Sequence, residues 1–96
     1  MMLRKLHLTG GRFLRIAKSE IMRVGNLAIV YHLTYQNGRY GMIIEVLGDS
    51  KRRFSACDVA RNLETAEYLL TLFSQNLVFP ENAAEIFDDI LAEGVL

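Results

Sequence analysis

The chain has 96 residues, one Cys, one Pro and no Trp. That length fits a single domain over 1–96, large enough for one hydrophobic core without staples. Net charge is zero, and a lone Cys57 excludes an intrachain disulfide and any multi-cysteine metal site.

The first apolar stretch is broken by Arg4, Lys5 and His7, so no secretory signal is expected, and a cytoplasmic location is the default. No apolar run approaches the roughly 20 residues that cross a bilayer, so no membrane association is expected. Hydrophobic residues make up 51% of the chain, at the upper end for a small domain, which points to apolar surface covered by a second copy or a partner.

Leu3–Leu8 alternates weakly, and Gly10-Gly11 signals a bend. Residues 12–18 are ambiguous. Leu14 and Ile16 suit a strand, while Phe13, Leu14, Ala17 and Ile21 also fit a helical face; strand is favoured because a bend precedes it and a hairpin follows. Ile21–Val24 continues that strand or forms a short one, and Gly25-Asn26 makes the next turn.

Leu27 to Leu47 carries the clearest signal. Asn37-Gly38 suits a two-residue type I′ turn, in which both central residues need positive φ. Counting outward from it, Tyr35 faces Tyr40, Leu33 faces Met42, Tyr31 faces Ile44 and Ile29 faces Val46. All four pairs share one apolar face. The other face is mixed, with Ala28, Val30, His32 and Thr34 opposite Leu47, Glu45, Ile43 and Gly41. A slip of one residue would turn Tyr31 and Leu33 to the mixed side, so the pattern fixes its own register. Gly48-Asp49-Ser50 ends the hairpin. Arg52–Asp58 reads as a further strand, with Phe54 and Ala56 on one side and Arg53, Ser55 and Cys57 on the other.

The period then changes. Leu63, Ala66, Leu70, Phe73 and Leu77, widened by Leu69, form a helical stripe that runs to about Gln75 or Asn76, with Asn62 as N-cap. Pro80 opens a second helix whose buried stripe is Ala83, Ile86, Phe87, Ile90 and Leu91, and Gly94 stops it. Strands first and helices last predict an α+β fold: a largely antiparallel N-terminal β-meander with two C-terminal helices on one face.

The chain from Tyr31 onward resembles a small uncharacterised family of Gram-positive, clostridial-type bacterial proteins, a domain of unknown function. The likeness lies in Tyr40-Gly41-Met42, in Asp58-Val59-Ala60-Arg61-Asn62 at a strand-to-helix junction, and in the closing helix from Phe79-Pro80-Glu81 to Asp88-Asp89-Ile90-Leu91. Ala60 and Phe79 stand where that family tends to have Ser, so both hydroxyls are lost here. The resemblance implies a small cytoplasmic bacterial domain and no assigned activity.

Charge is segregated. Residues 1–53 hold ten Lys/Arg and three Asp/Glu, whereas 54–96 hold Arg61 and eight acidic residues. A basic sheet and acidic helices then attract each other within one domain or head to tail between copies; a basic face for nucleic acid is the other reading. Lys51-Arg52-Arg53, with Arg4, Lys5, Arg12, Arg15, Lys18, Arg23 and Arg39, could follow phosphates, and Tyr31, Tyr35, Tyr40 and Phe54 could stack on bases. The hairpin pairing, however, assigns the three tyrosines to the core. Gly10-Gly11 lacks the rest of a phosphate-binding loop.

Glu85, Asp88, Asp89 and Glu93 offer carboxylates to a divalent cation, but no loop carbonyls accompany them, and a solvated helix face or an acidic docking surface explains them better. His7 and His32 are isolated; His32 lies diagonal to Glu45, an ordinary surface contact in the simplest reading. Nothing local activates Cys57, which reads as a small, partly buried strand residue. The expected function is therefore a non-enzymatic protein-interaction module that self-associates or binds another protein and takes no cofactor. Its contact surface is Glu85, Asp88 and Asp89 on the second helix and Val30, His32 and Ile43 on the outer sheet face. A nucleic-acid-binding accessory protein is the alternative.

Overall fold

A computed structural model describes residues 4–7 and 13–92. Five strands, β1 (Arg4–His7), β2 (Phe13–Val24), β3 (Leu27–Gln36), β4 (Arg39–Val46) and β5 (Asp49–Ala60), form one antiparallel sheet in chain order. Two helices follow, α1 (Leu63–Gln75) and α2 (Pro80–Ala92). The fold is α+β, a meander with both helices on one face. Residues 12–18 resolve as strand from Phe13, and Ile21–Val24 completes the same element rather than starting another. The bend at Gly10-Gly11 and the stop at Gly94 lie outside the described residues, as do Glu93 and the side chains of His7 and Leu91.

The central hairpin has the register that its turn dictates. Asn37 and Gly38 take φ of 52° and 78°, and Tyr35 pairs with Tyr40, Leu33 with Met42, Tyr31 with Ile44 and Ile29 with Val46. Those apolar residues meet α1, which lies over β2 to β5, and α2, which lies over β4 and β5. Tyr31, Ile44, Leu70 and Phe87 share one core cluster. Phe87 closes it from α2, its ring centroid 4.6 Å from Phe73 and 5.7 Å from Phe54.

Asn62 caps α1 by accepting the Thr65 N–H at 2.8 Å. The stripe of α1 is shorter than the spacing predicts: Ala66, Leu69, Leu70 and Phe73 are buried, but Leu63 and Leu77 are exposed. Leu63 is the first residue of the helix, and Leu77, with φ of 52°, lies past its end. Neither has a turn on both sides to press it onto the sheet. On α2, Ala83, Phe87 and Ile90 are buried and Ile86 packs at the margin. Arg52 fastens β5 to α2 through two hydrogen bonds to Glu81, at 2.9 and 3.1 Å, with its guanidinium 5.3 Å from the Phe79 ring. The Arg52 hydrogen bond holds the Glu81 carboxyl below its usual range.

Candidate functional site

Strand alternation sends Val30, His32 and Thr34 of β3, and Gly41, Ile43 and Glu45 of β4, to the face without helices. The predicted contact residues divide there. Val30 and Ile43 are only 5% and 3% exposed, so they floor this face rather than project from it. The apolar groups that do project are Ile21, 57% exposed, and Leu47, 54% exposed. Ile21 is the partner of Val30 across β2 and β3, and the Leu47 N–H donates to the Ala28 carbonyl at 2.9 Å. Both therefore lie toward the end of the sheet that holds the β2–β3 and β4–β5 turns.

His32 spans three strands. Its Nδ1 lies 2.6 Å from Ser19 Oγ on β2 and its Nε2 3.1 Å from Glu45 Oε1 on β4. A carboxylate only accepts, so Nε2 carries the proton, and in the neutral ring Nδ1 accepts from the serine hydroxyl. Hydroxyl, imidazole and carboxylate in that order form a relay of the kind that activates a nucleophile. Acyl transfer also needs donors aimed at a developing oxyanion and a concavity that holds the substrate. Neither Ser19 nor His32 lines the groove beside Tyr35 and Tyr40, the one beside Asn37 and Asp58, or the one beside Phe54 and Phe87. The two contacts link β2, β3 and β4 through side chains.

Charge frames the two sides differently. Arg23, the partner of Ala28, and Arg53, the partner of Glu45, are exposed on the helix-free face. Glu85, Asp88 and Asp89 are exposed on α2, and none is in an ion pair among the described residues. No group of three or more His, Cys, Asp or Glu suited to a metal occurs among the described residues. Three members of the basic set are engaged by carboxylates: Lys18 by Glu67, Arg39 by Asp58 and Arg52 by Glu81. Cys57 is exposed on β5, not partly buried as the strand pattern suggests. No helix among the described residues is long and apolar enough to cross a membrane.

Ser19, Ile21 and Leu47 are the surface residues that the sequence reading passes over. A signal was present for the first two, because counting outward from the Gly25-Asn26 turn pairs Val24 with Leu27, Ile21 with Val30 and Ser19 with His32. No protein-family model, curated protein or solved structure matches this chain.

Proposed function

We propose that the chain is a small non-enzymatic interaction module whose partner is a second copy of itself. The acidic side of α2 in one copy meets the helix-free sheet face of the next. The observation that carries this reading is the pairing of Ile21 and Leu47, both more than half exposed, with Arg23 and Arg53 on the same face. Exposed Glu85, Asp88 and Asp89 supply the complementary charge from the opposite layer. Attraction between the two patches draws copies together, and burial of Ile21 and Leu47 holds them. Because the surfaces lie on opposite sides of the molecule, the contact is head to tail, and it closes into a ring where the rotation allows. The resemblance to a bacterial family adds a cytoplasmic bacterial setting to this proposal.

Sedimentation velocity from low to high micromolar concentration tests it. The mean mass should rise above the 10.9 kDa of one chain as concentration rises, and fall back when salt screens the charges. Ile21→Glu, or Asp88→Lys with Asp89→Lys, should return the protein to monomer. A single monomeric species throughout rejects the proposal.

Nucleic acid is the second reading, favoured by Arg23, Lys51 and Arg53, which are in no ion pair among the described residues. It ranks lower because Arg39 and Arg52 are already held by acids. It requires binding at low salt that weakens steeply as salt rises.

A further inference from the structure

We infer that the groove between β2, the tip of the β3–β4 hairpin and the start of α1 is a binding site for a small aromatic anion of the nucleoside monophosphate class. This site lies on the helix side of the sheet and is independent of the self-association surface.

The groove exists because β2 is irregular. Arg15 pairs with Tyr35 and Lys18 with Leu33, with a register shift between Ile16 and Lys18. In a regular strand, residues three apart point to opposite faces; the extra residue, Ala17, turns both cations to the same one. They line a groove of about 310 Å³ together with Tyr35, Tyr40, Leu63 and Glu67. That volume lies at the low end of small-molecule sites, roughly 300–1,000 Å³.

Each wall offers a different chemistry. Tyr35 and Tyr40 are cross-strand partners with ring centroids 4.9 Å apart, and each is only half-buried. They present aromatic surface on which a base can stack. Arg15 is exposed and in no ion pair among the described residues. Its planar fork matches phosphate oxygens. Lys18 adds a second positive charge, held only loosely by Glu67 at 3.8 Å with both side chains 45% exposed. Glu67 can accept a hydrogen bond from a ribose hydroxyl or a base amino group. Stacking surface, a phosphate fork and one carboxylate acceptor together describe a mononucleotide better than inorganic phosphate or an uncharged ring.

Titration of adenosine 5′-monophosphate into the isotopically labelled protein tests the assignment. Saturable shifts should appear at Arg15, Lys18, Tyr35 and Tyr40. Arg15→Ala, at an exposed position, should weaken binding about tenfold, as expected for one charge-assisted contact, with the remaining spectrum unchanged. Adenosine and inorganic phosphate, each alone, should bind at least as weakly as the nucleotide binds to that variant. No shift at millimolar nucleotide, or binding that Arg15→Ala and Lys18→Ala both leave unchanged, overturns the site. Tighter binding of a 5′-phosphorylated tetranucleotide would overturn its assignment to a free mononucleotide.

Discussion

The Tyr31 hydroxyl donates a 2.9 Å hydrogen bond to the Val78 carbonyl, joining the middle strand to the link between the helices across 47 residues of sequence. Val78 is engaged twice, since its own N–H donates to the Phe73 carbonyl at 3.1 Å and closes α1. The ring of Tyr31 is fully buried, so its hydroxyl and that carbonyl satisfy each other away from water. Tyr31→Phe keeps the ring and removes the donor. It should cost about 1–2 kcal/mol in urea unfolding, because the carbonyl is left unpaired. An unchanged midpoint would show that water reaches the carbonyl in the variant.

The same burial sets an alkaline limit on stability. Desolvation pushes the Tyr31 hydroxyl up to about 12 from its ordinary value of 10.0. Between those values the unfolded chain gives up a proton that the folded chain retains. Stability is therefore unaffected by this group below pH 10, and falls as pH rises toward 12. Urea midpoints measured across that window should drop more steeply for the native protein than for Tyr31→Phe. Parallel slopes would contradict the assignment.

Gly41 is fixed by space rather than by φ. A Cβ there would lie 2.6 Å from the Ala56 carbonyl oxygen and 2.7 Å from Thr34 Oγ1. The first of these is backbone of β5, so it cannot swing aside as a side chain would. Gly41→Ala should therefore displace β5 where its pairing with β4 already shifts, between Tyr40 and Met42. The expected loss is about 1–3 kcal/mol by thermal or urea unfolding. Faster amide exchange along β5 should accompany it.

Phe73 is the ring that both layers share, fully buried and stacked obliquely on Phe87. Phe73→Ala should cost about 3–5 kcal/mol, since the cavity would open between sheet and helices where neither can collapse. A loss below about 0.5 kcal/mol in urea would reject this packing.

These sites show which signals survive in a sequence. Asn37-Gly38 and the alternation around it set the hairpin register because turn chemistry and burial agree there. Asn62 and Pro80 mark helix starts through backbone chemistry that needs no tertiary context. The register shift between Ile16 and Lys18 left no mark in the sequence, because no unusual residue announces a bulge there. The mixed face of the hairpin looked open because polar residues interrupt it, yet Val30 and Ile43 are covered within the molecule. Leu77 misled for another reason: apolar spacing counts residues and is blind to where the backbone leaves the helix.

Leu77 also sits in a conformation that its side chain disfavours. Its N–H donates to the Ser74 carbonyl at 3.2 Å, and the next N–H, that of Val78, returns to Phe73. These two bonds make the closing motif of a helix whose C′ residue is usually Gly, because φ there is positive. Here φ is 52° on a residue with a branched side chain. The left-handed conformation costs an L-residue roughly 1–2 kcal/mol. Leu77→Gly relieves that cost but gives up the partial burial of a side chain that is 36% exposed. It also raises the entropy of the unfolded chain, which offsets part of the gain. The net expectation is a stabilisation of about 0.5 kcal/mol or less, read as a slightly higher urea midpoint with an unchanged slope. A lower midpoint would mean that the Leu77 side chain contributes more by packing than its backbone conformation costs.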